Sequence, residues 1–137
     1  MNADPVCFGA KDDQFGRFDV EVGGYVEAVK LVHASGFLSC SPFLPAYNWG
    51  CEEEDDKLQI LITAFNDTIL LPESQEHFYV LPGYTVRSKE IVFTGLKNPL
   101  LLSSGQELRI WNGEDLLNEG DWDNGATTCT NVYAKYM

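Results

Sequence analysis

The chain has 137 residues, with 9 Lys and Arg against 21 Asp and Glu, a formal net charge of −12. At 45% apolar and 12% aromatic it can bury the core of one domain, expected to span 1–137, and it is no disordered acidic tail. The charge repels phosphate backbones and anionic membranes, so no nucleic-acid partner is expected, and the apolar runs are too short for membrane insertion.

Taken in chain order, the predicted elements are short strands between turn residues, and no helix-period apolar stripe of useful length interrupts them. Phe18, Val20 and Val22 alternate with Asp19 and Glu21, which predicts a half-buried strand stopping at Gly23-Gly24. Tyr25 to His33 reads as a second strand. Leu58 to Phe65 is a third, and its nearly continuous apolar character predicts a central position. Asn66-Asp67 then turns the chain into Thr68–Leu71, because Asn and Asp tolerate left-handed geometry. Asn66-Asp67-Thr68 also matches the N-glycosylation acceptor pattern, a short and common one.

Phe78–Leu81, Glu90–Thr94, Leu100–Leu102 and Glu107–Trp111 continue the series, separated by Pro82-Gly83, Gly95, Asn98-Pro99 and Ser103-Ser104-Gly105. Thr127 to Tyr136 closes it as a long Thr/Val/Tyr strand. About nine short strands at this spacing predict an all-β fold, an antiparallel β-sandwich of jelly-roll type.

Cys7, Cys40, Cys51 and Cys129 contain no CxxC, so a zinc ribbon or a thioredoxin-type site has no support. Cys40 and Cys51 bracket a loop holding Pro42, Pro45 and Gly50, which lacks regular pairing and gains from a covalent tie. The favoured pairing is therefore Cys40–Cys51 with Cys7–Cys129; the alternative is four reduced, buried thiols in a cytosolic protein. Met1–Pro5 lacks the basic start and apolar stretch of a signal peptide. A cytosolic origin explains that, and so does a leader already removed; the disulfides favour a secreted, extracellular chain.

The segment from Ile91 to Trp111 (IVFTGLKNPLLLSSGQELRIW) resembles a phrase of galactose-binding-like jelly-roll modules: an apolar strand, an Asn-Pro step, a short strand, a Gly turn and a second apolar strand. The resemblance implies a sandwich with ligand loops at one edge, often with a calcium ion, and it carries over no ligand residue.

Between two predicted strands, residues 112–125 hold five carboxylates, three asparagines and three glycines with no basic residue. Hard cations take carboxylate and carbonyl oxygens on a bendable backbone, so Asp115, Glu119, Asp121, Asp123 and Asn124 are the candidate ligands of one calcium ion. An EF-hand is rejected, because the closing Glu and the flanking helices are missing. Asp12 and Asp13 could share a cation site with Asp121 and Asp123. The alternative for the whole stretch is a solvated acidic loop, which is also the reading of Glu52–Asp56.

Tyr47, Asn48, Trp49 and Trp122 lie in polar loops and form the candidate ligand-binding set, aromatic faces for a sugar ring with amide groups for its hydroxyls. Trp111, at the end of a strand, reads as core. Catalysis has little basis: His33 falls in a strand, His77 reads as surface, and no hydrolase, metalloprotease, P-loop or dinucleotide fingerprint occurs. The functional expectation is a non-enzymatic extracellular module that binds carbohydrate or a partner protein through edge loops. The alternative is a structural or assembly protein, a homo-oligomer or a binder of mineral or basic partners.

Overall fold

The computed structural model describes residues 5–9, 15–37, 46–51, 58–75, 79–112 and 127–137, with the backbone alone at 46–47, 50–51 and 112. Eleven strands are present among them: β1 (Val6–Gly9), β2 (Gly16–Asp19), β3 (Gly24–Gly36), β4 (Ala46–Tyr47), β5 (Gly50–Cys51), β6 (Ile60–Ala64), β7 (Ile69–Leu71), β8 (Glu90–Phe93), β9 (Leu100–Leu102), β10 (Glu107–Asn112) and β11 (Thr127–Tyr136). One sheet runs β1-β11-β3-β8, with β9 also on β3; the other runs β2-β10-β6-β7. Every pairing is antiparallel, and β4 with β5 forms a separate small hairpin. The chain alternates between the two sheets from β1 to β3 and again from β9 to β11, as a jelly-roll-type sandwich requires.

The core lies between the sheets. Phe8, Val26, Leu31, Ile91, Phe93 and Val132 come from the first, and Phe18, Ile60, Ile62, Leu108 and Ile110 from the second. Alternation sets this: Phe18 is buried while Arg17 and Asp19 are exposed, since neighbouring strand residues face opposite ways. β6 is an inner strand buried at Ile60, Leu61, Ile62 and Thr63, in keeping with its nearly unbroken apolar run. Trp111 is core, as expected; its indole N–H donates to Thr63 Oγ1 at 3.1 Å, and the Phe15 ring lies 4.6 Å from it. Thr128 and Thr130 are fully buried and donate to backbone carbonyls, which removes the cost of burying a hydroxyl.

Three strand expectations need correction. The strand expected over Phe18–Val22 ends at Asp19, and Val22 is 63% exposed, because the chain bends at Glu21 to meet the 103–106 turn. β3 is longer than expected, at 13 residues, because β11 pairs along it from Gly36 to Val26. At Tyr79 there is only a single bridge to Leu58, where a strand over Phe78–Leu81 was expected; Phe78 lies outside the described residues. The loop expected between Cys40 and Cys51 contains the β4–β5 hairpin.

Cys7 and Cys129 sit directly opposite each other on β1 and β11, with Cα atoms 4.0 Å apart, and form the expected disulfide. The expected Cys40–Cys51 bond lies outside the described residues. Residue identity is forced where β1 approaches β2: a Cβ on Gly16 would stand 2.6 Å from Val6 Cγ1 and 2.8 Å from the Cys7 carbonyl oxygen.

The bond closes a loop of 122 residues of sequence separation, so its loss frees much denatured-state entropy. Replacing both Cys7 and Cys129 by Ser should lower unfolding stability by about 2–5 kcal/mol in a urea titration while leaving the far-ultraviolet β spectrum in place.

Candidate functional site

One end of the sandwich gathers the loops. Gly9 pairs with Thr127, Thr128 with Gly36, Ile110 with Gly16 and Ile60 with Asn112, so these residues share that end. They are the points where segments 10–14, 38–45 and 113–126 leave or rejoin the described chain, and segment 52–57 rejoins it at Leu58, two residues before Ile60. By sequence those segments carry Asp12, Asp13, Glu52–Asp56 and the carboxylates of 114–123, most of the chain's negative charge.

The β4–β5 hairpin is tied down at this end by backbone groups. The Trp49 amide donates to Val86 O at 3.1 Å, and its indole N–H donates to Ser88 O at 2.7 Å. Asn48 Nδ2 donates to the same Ser88 carbonyl at 3.2 Å. From the opposite side Thr128 Oγ1 donates to Asn48 O at 2.8 Å, joining the hairpin to β11. Phe37 N–H donates to Thr127 O at 3.1 Å. Gly36 beside it has φ 78°, and a Cβ there would lie 2.1 Å from that Thr127 oxygen, so no other residue fits. The bridge of Leu58 with Tyr79 adds bonds of 2.7 and 3.0 Å, and the Tyr79 hydroxyl donates to Ile60 O.

Trp49 requires a correction. Expected as an exposed ligand platform, it is 0% exposed and part of the core. Polar composition of a loop does not decide exposure: once the indole N–H meets Ser88 O, the ring body can be buried at no polar cost. Asn48 is half-buried and also serves the hairpin anchor. Tyr47 is described by its backbone in β4 only; Trp122 and the ligand set Asp115, Glu119, Asp121, Asp123 and Asn124 lie outside the described residues, as do Asp12, Asp13 and His77. His33, in β3 as expected, is held structurally: Nε2 donates to Gly36 O at 2.7 Å, and the ring meets Trp49 edge-on at 5.9 Å.

Among the described residues no three His, Cys, Asp or Glu side chains gather as metal ligands. Gln59, 4% exposed and one residue before the Ile60–Asn112 pair, has a buried Oε1 with no hydrogen-bond partner among them. Gln59 precedes Ile60, whose partner Asn112 is the last described residue before 113–126. Thr128, Ser88 and Gln59 were not foreseen as parts of this end. Thr128 carried a signal, a hydroxyl on the inward rhythm of a strand; Ser88 acts through its carbonyl, which no side chain announces.

No family model matches the chain, and no curated protein matches it. Among solved structures it is similar to AJLec from the sea anemone Anthopleura japonica, with a TM-score of 0.86 and 26% identity over 100% of this chain and 95% of that one. The two share a fold. AJLec is a lectin by name, and the likeness is a match of the whole chain.

Two measurements follow from this geometry. Trp49→Ala should cost about 3–5 kcal/mol in denaturant unfolding, the usual range for emptying a buried aromatic site. Burial raises the Tyr79 hydroxyl far above its ordinary pKa of 10.0. The unfolded chain then releases that proton near its ordinary value while the folded chain keeps it, so this contribution is full below about pH 10 and is lost as pH rises beyond it. Urea midpoints at about pH 9 and about pH 11 should fall across that interval, and less so in Tyr79→Phe.

Proposed function

We propose that the protein is an extracellular, non-enzymatic lectin-like module that binds carbohydrate at the loop-bearing end of its sandwich. The full-length likeness to AJLec carries this reading. The Cys7–Cys129 disulfide supports the location, since such bonds persist in oxidising compartments.

The second half of the proposal is a calcium ion at the same end, held by Asp115, Glu119, Asp121, Asp123 and Asn124. Their donor chemistry fits a hard cation: several carboxylates, one amide carbonyl, and Gly120 and Gly125 for backbone freedom. The Gln59 oxygen, without a partner among the described residues, is a buried acceptor one residue from the Ile60–Asn112 pair that an incoming cation or donor would satisfy. With −12 on the chain and no Lys or Arg in 112–125, a cation relieves the crowding of like charges. Tyr47 and Trp122 are the remaining aromatic candidates for the sugar face, Trp49 having been withdrawn into the core. The galactose-binding-like phrase over Ile91–Trp111 agrees in kind with this reading.

A second reading rests on a different surface. Tyr25 and Leu101 stand opposite each other on β3 and β9, at 56% and 63% exposure, and Met137 bonds to the Tyr25 carbonyl beside them. An apolar patch next to an edge strand suits self-association. Size-exclusion elution that shifts with protein concentration and is restored by Leu101→Lys would favour assembly.

A glycan array probed in millimolar calcium and again with chelator tests the leading reading. Glycan signal that falls with chelator is expected, as is a thermal midpoint that rises with calcium. Asp121→Asn and Asp123→Asn should each shrink that rise, whereas neutralising Glu52–Asp56 should not. No glycan signal in either buffer would remove the carbohydrate reading, and an unmoved midpoint would remove the cation.

A further inference from the structure

We propose that Asn66 carries an N-linked glycan, placed at the end of the sandwich opposite the recognition loops. Asn66-Asp67-Thr68 is the chain's sole Asn-X-Ser/Thr triplet, and the structure supplies what the pattern lacks. The triplet forms the tight turn from β6 to β7, with Asp67 at φ 66° and Asn66, Asp67 and Thr68 all exposed. Asn66 Oδ1 accepts the Thr68 backbone N–H at 3.2 Å, an Asx-turn, while Ala64 N–H donates to Thr68 O at 2.9 Å to close the hairpin.

The fold therefore uses the oxygen of the Asn66 amide, and Nδ2 has no partner among the described residues. Glycosylation takes the nitrogen. Nδ2 bonds to the anomeric carbon of a polyisoprenyl-diphosphate-linked oligosaccharide, the bond from that carbon to the diphosphate oxygen breaks, the diphosphate leaves with the electron pair, and Nδ2 gives one proton to a base. The product keeps Oδ1 free to accept from Thr68, so the turn survives the modification.

Two further observations fit a sugar at this position. Phe65, the preceding residue, is 65% exposed, an apolar face left bare next to the triplet. A first sugar ring lying against it removes apolar area from water. The placement also respects the proposed function. Asn66 follows Ala64, which pairs with Leu108, at the end of β6 away from Ile60 and Asn112. A bulky glycan there leaves the loop-bearing end open.

The inference rests on the extracellular reading, and a cleavable secretion leader supplies that route in the test, so a failure at Asn66 is separate from a failure of location. The full chain, secreted from a eukaryotic host, is weighed intact before and after peptide:N-glycosidase treatment. The expected result is a loss of glycan mass with conversion of Asn66 to Asp. The loss should be absent in Asn66→Gln and in Thr68→Val, the latter keeping the backbone N–H of the Asx-turn. Secreted, disulfide-bonded wild-type protein with an unmodified Asn66 would overturn the proposal, as would glycan that persists in both variants. The glycosylated form should melt above the treated form, and that gap should shrink in Phe65→Ala; an unchanged gap would overturn the contact with Phe65.

Discussion

The pairing of β11 along nearly the whole of β3 is the constraint on which the rest of the molecule depends. It brings the last strand back to the first third of the chain, so it closes a long loop and contributes nothing until that entropy has been overcome. β3 then serves as the spine of its sheet, carrying β8 along one stretch and β9 along another on the side away from β11. β11 in turn holds β1, and the disulfide sits in that outer ladder, directly across from strand to strand. The covalent bond and the ladder act on the same closure: one restricts the denatured chain, the other binds the folded one.

The same ladder fixes the position of the loop-bearing end. Thr128, buried in β11, reaches the Asn48 carbonyl, and the neighbouring Trp49 reaches Ser88. A short hairpin with only two residues per strand has little stability of its own. Its anchorage to two separate parts of the chain, through Val86 and Ser88 on one side and Thr128 on the other, makes it part of the core. A rigid rim of this kind holds the starting points of the acidic segments in a fixed relation, which is the arrangement a recognition site needs.

Much of the fold was legible because its strands are periodic. β11 was expected over Thr127–Tyr136 and has those bounds, since β-favouring Thr, Val and Tyr fill it and Thr128, Thr130 and Val132 keep an inward rhythm of two. The turn at Asn66-Asp67 and the central place of β6 followed from turn chemistry and from a doubly buried apolar run. β1 was missed: the four residues Val6–Gly9 are too few to show a period, and their partner lies at the far end of the chain. Trp49 was misplaced because exposure depends on what the fold brings over a side chain, and the Ser88 carbonyl that receives its indole is invisible in sequence. The acidic segment was legible as chemistry, through its donors and glycines, while its geometry belongs to residues outside those described.

Recognition as proposed occurs at one end of a sandwich whose β3–β11 ladder stays unchanged. Amide hydrogen exchange read by mass spectrometry, with and without calcium and a bound glycan, tests it most directly. Slowed exchange is expected in peptides spanning 46–51 and 112–127, with β3 and the 65–71 hairpin unaltered. Protection confined to the 65–71 and 95–106 turns, at the other end, would contradict it.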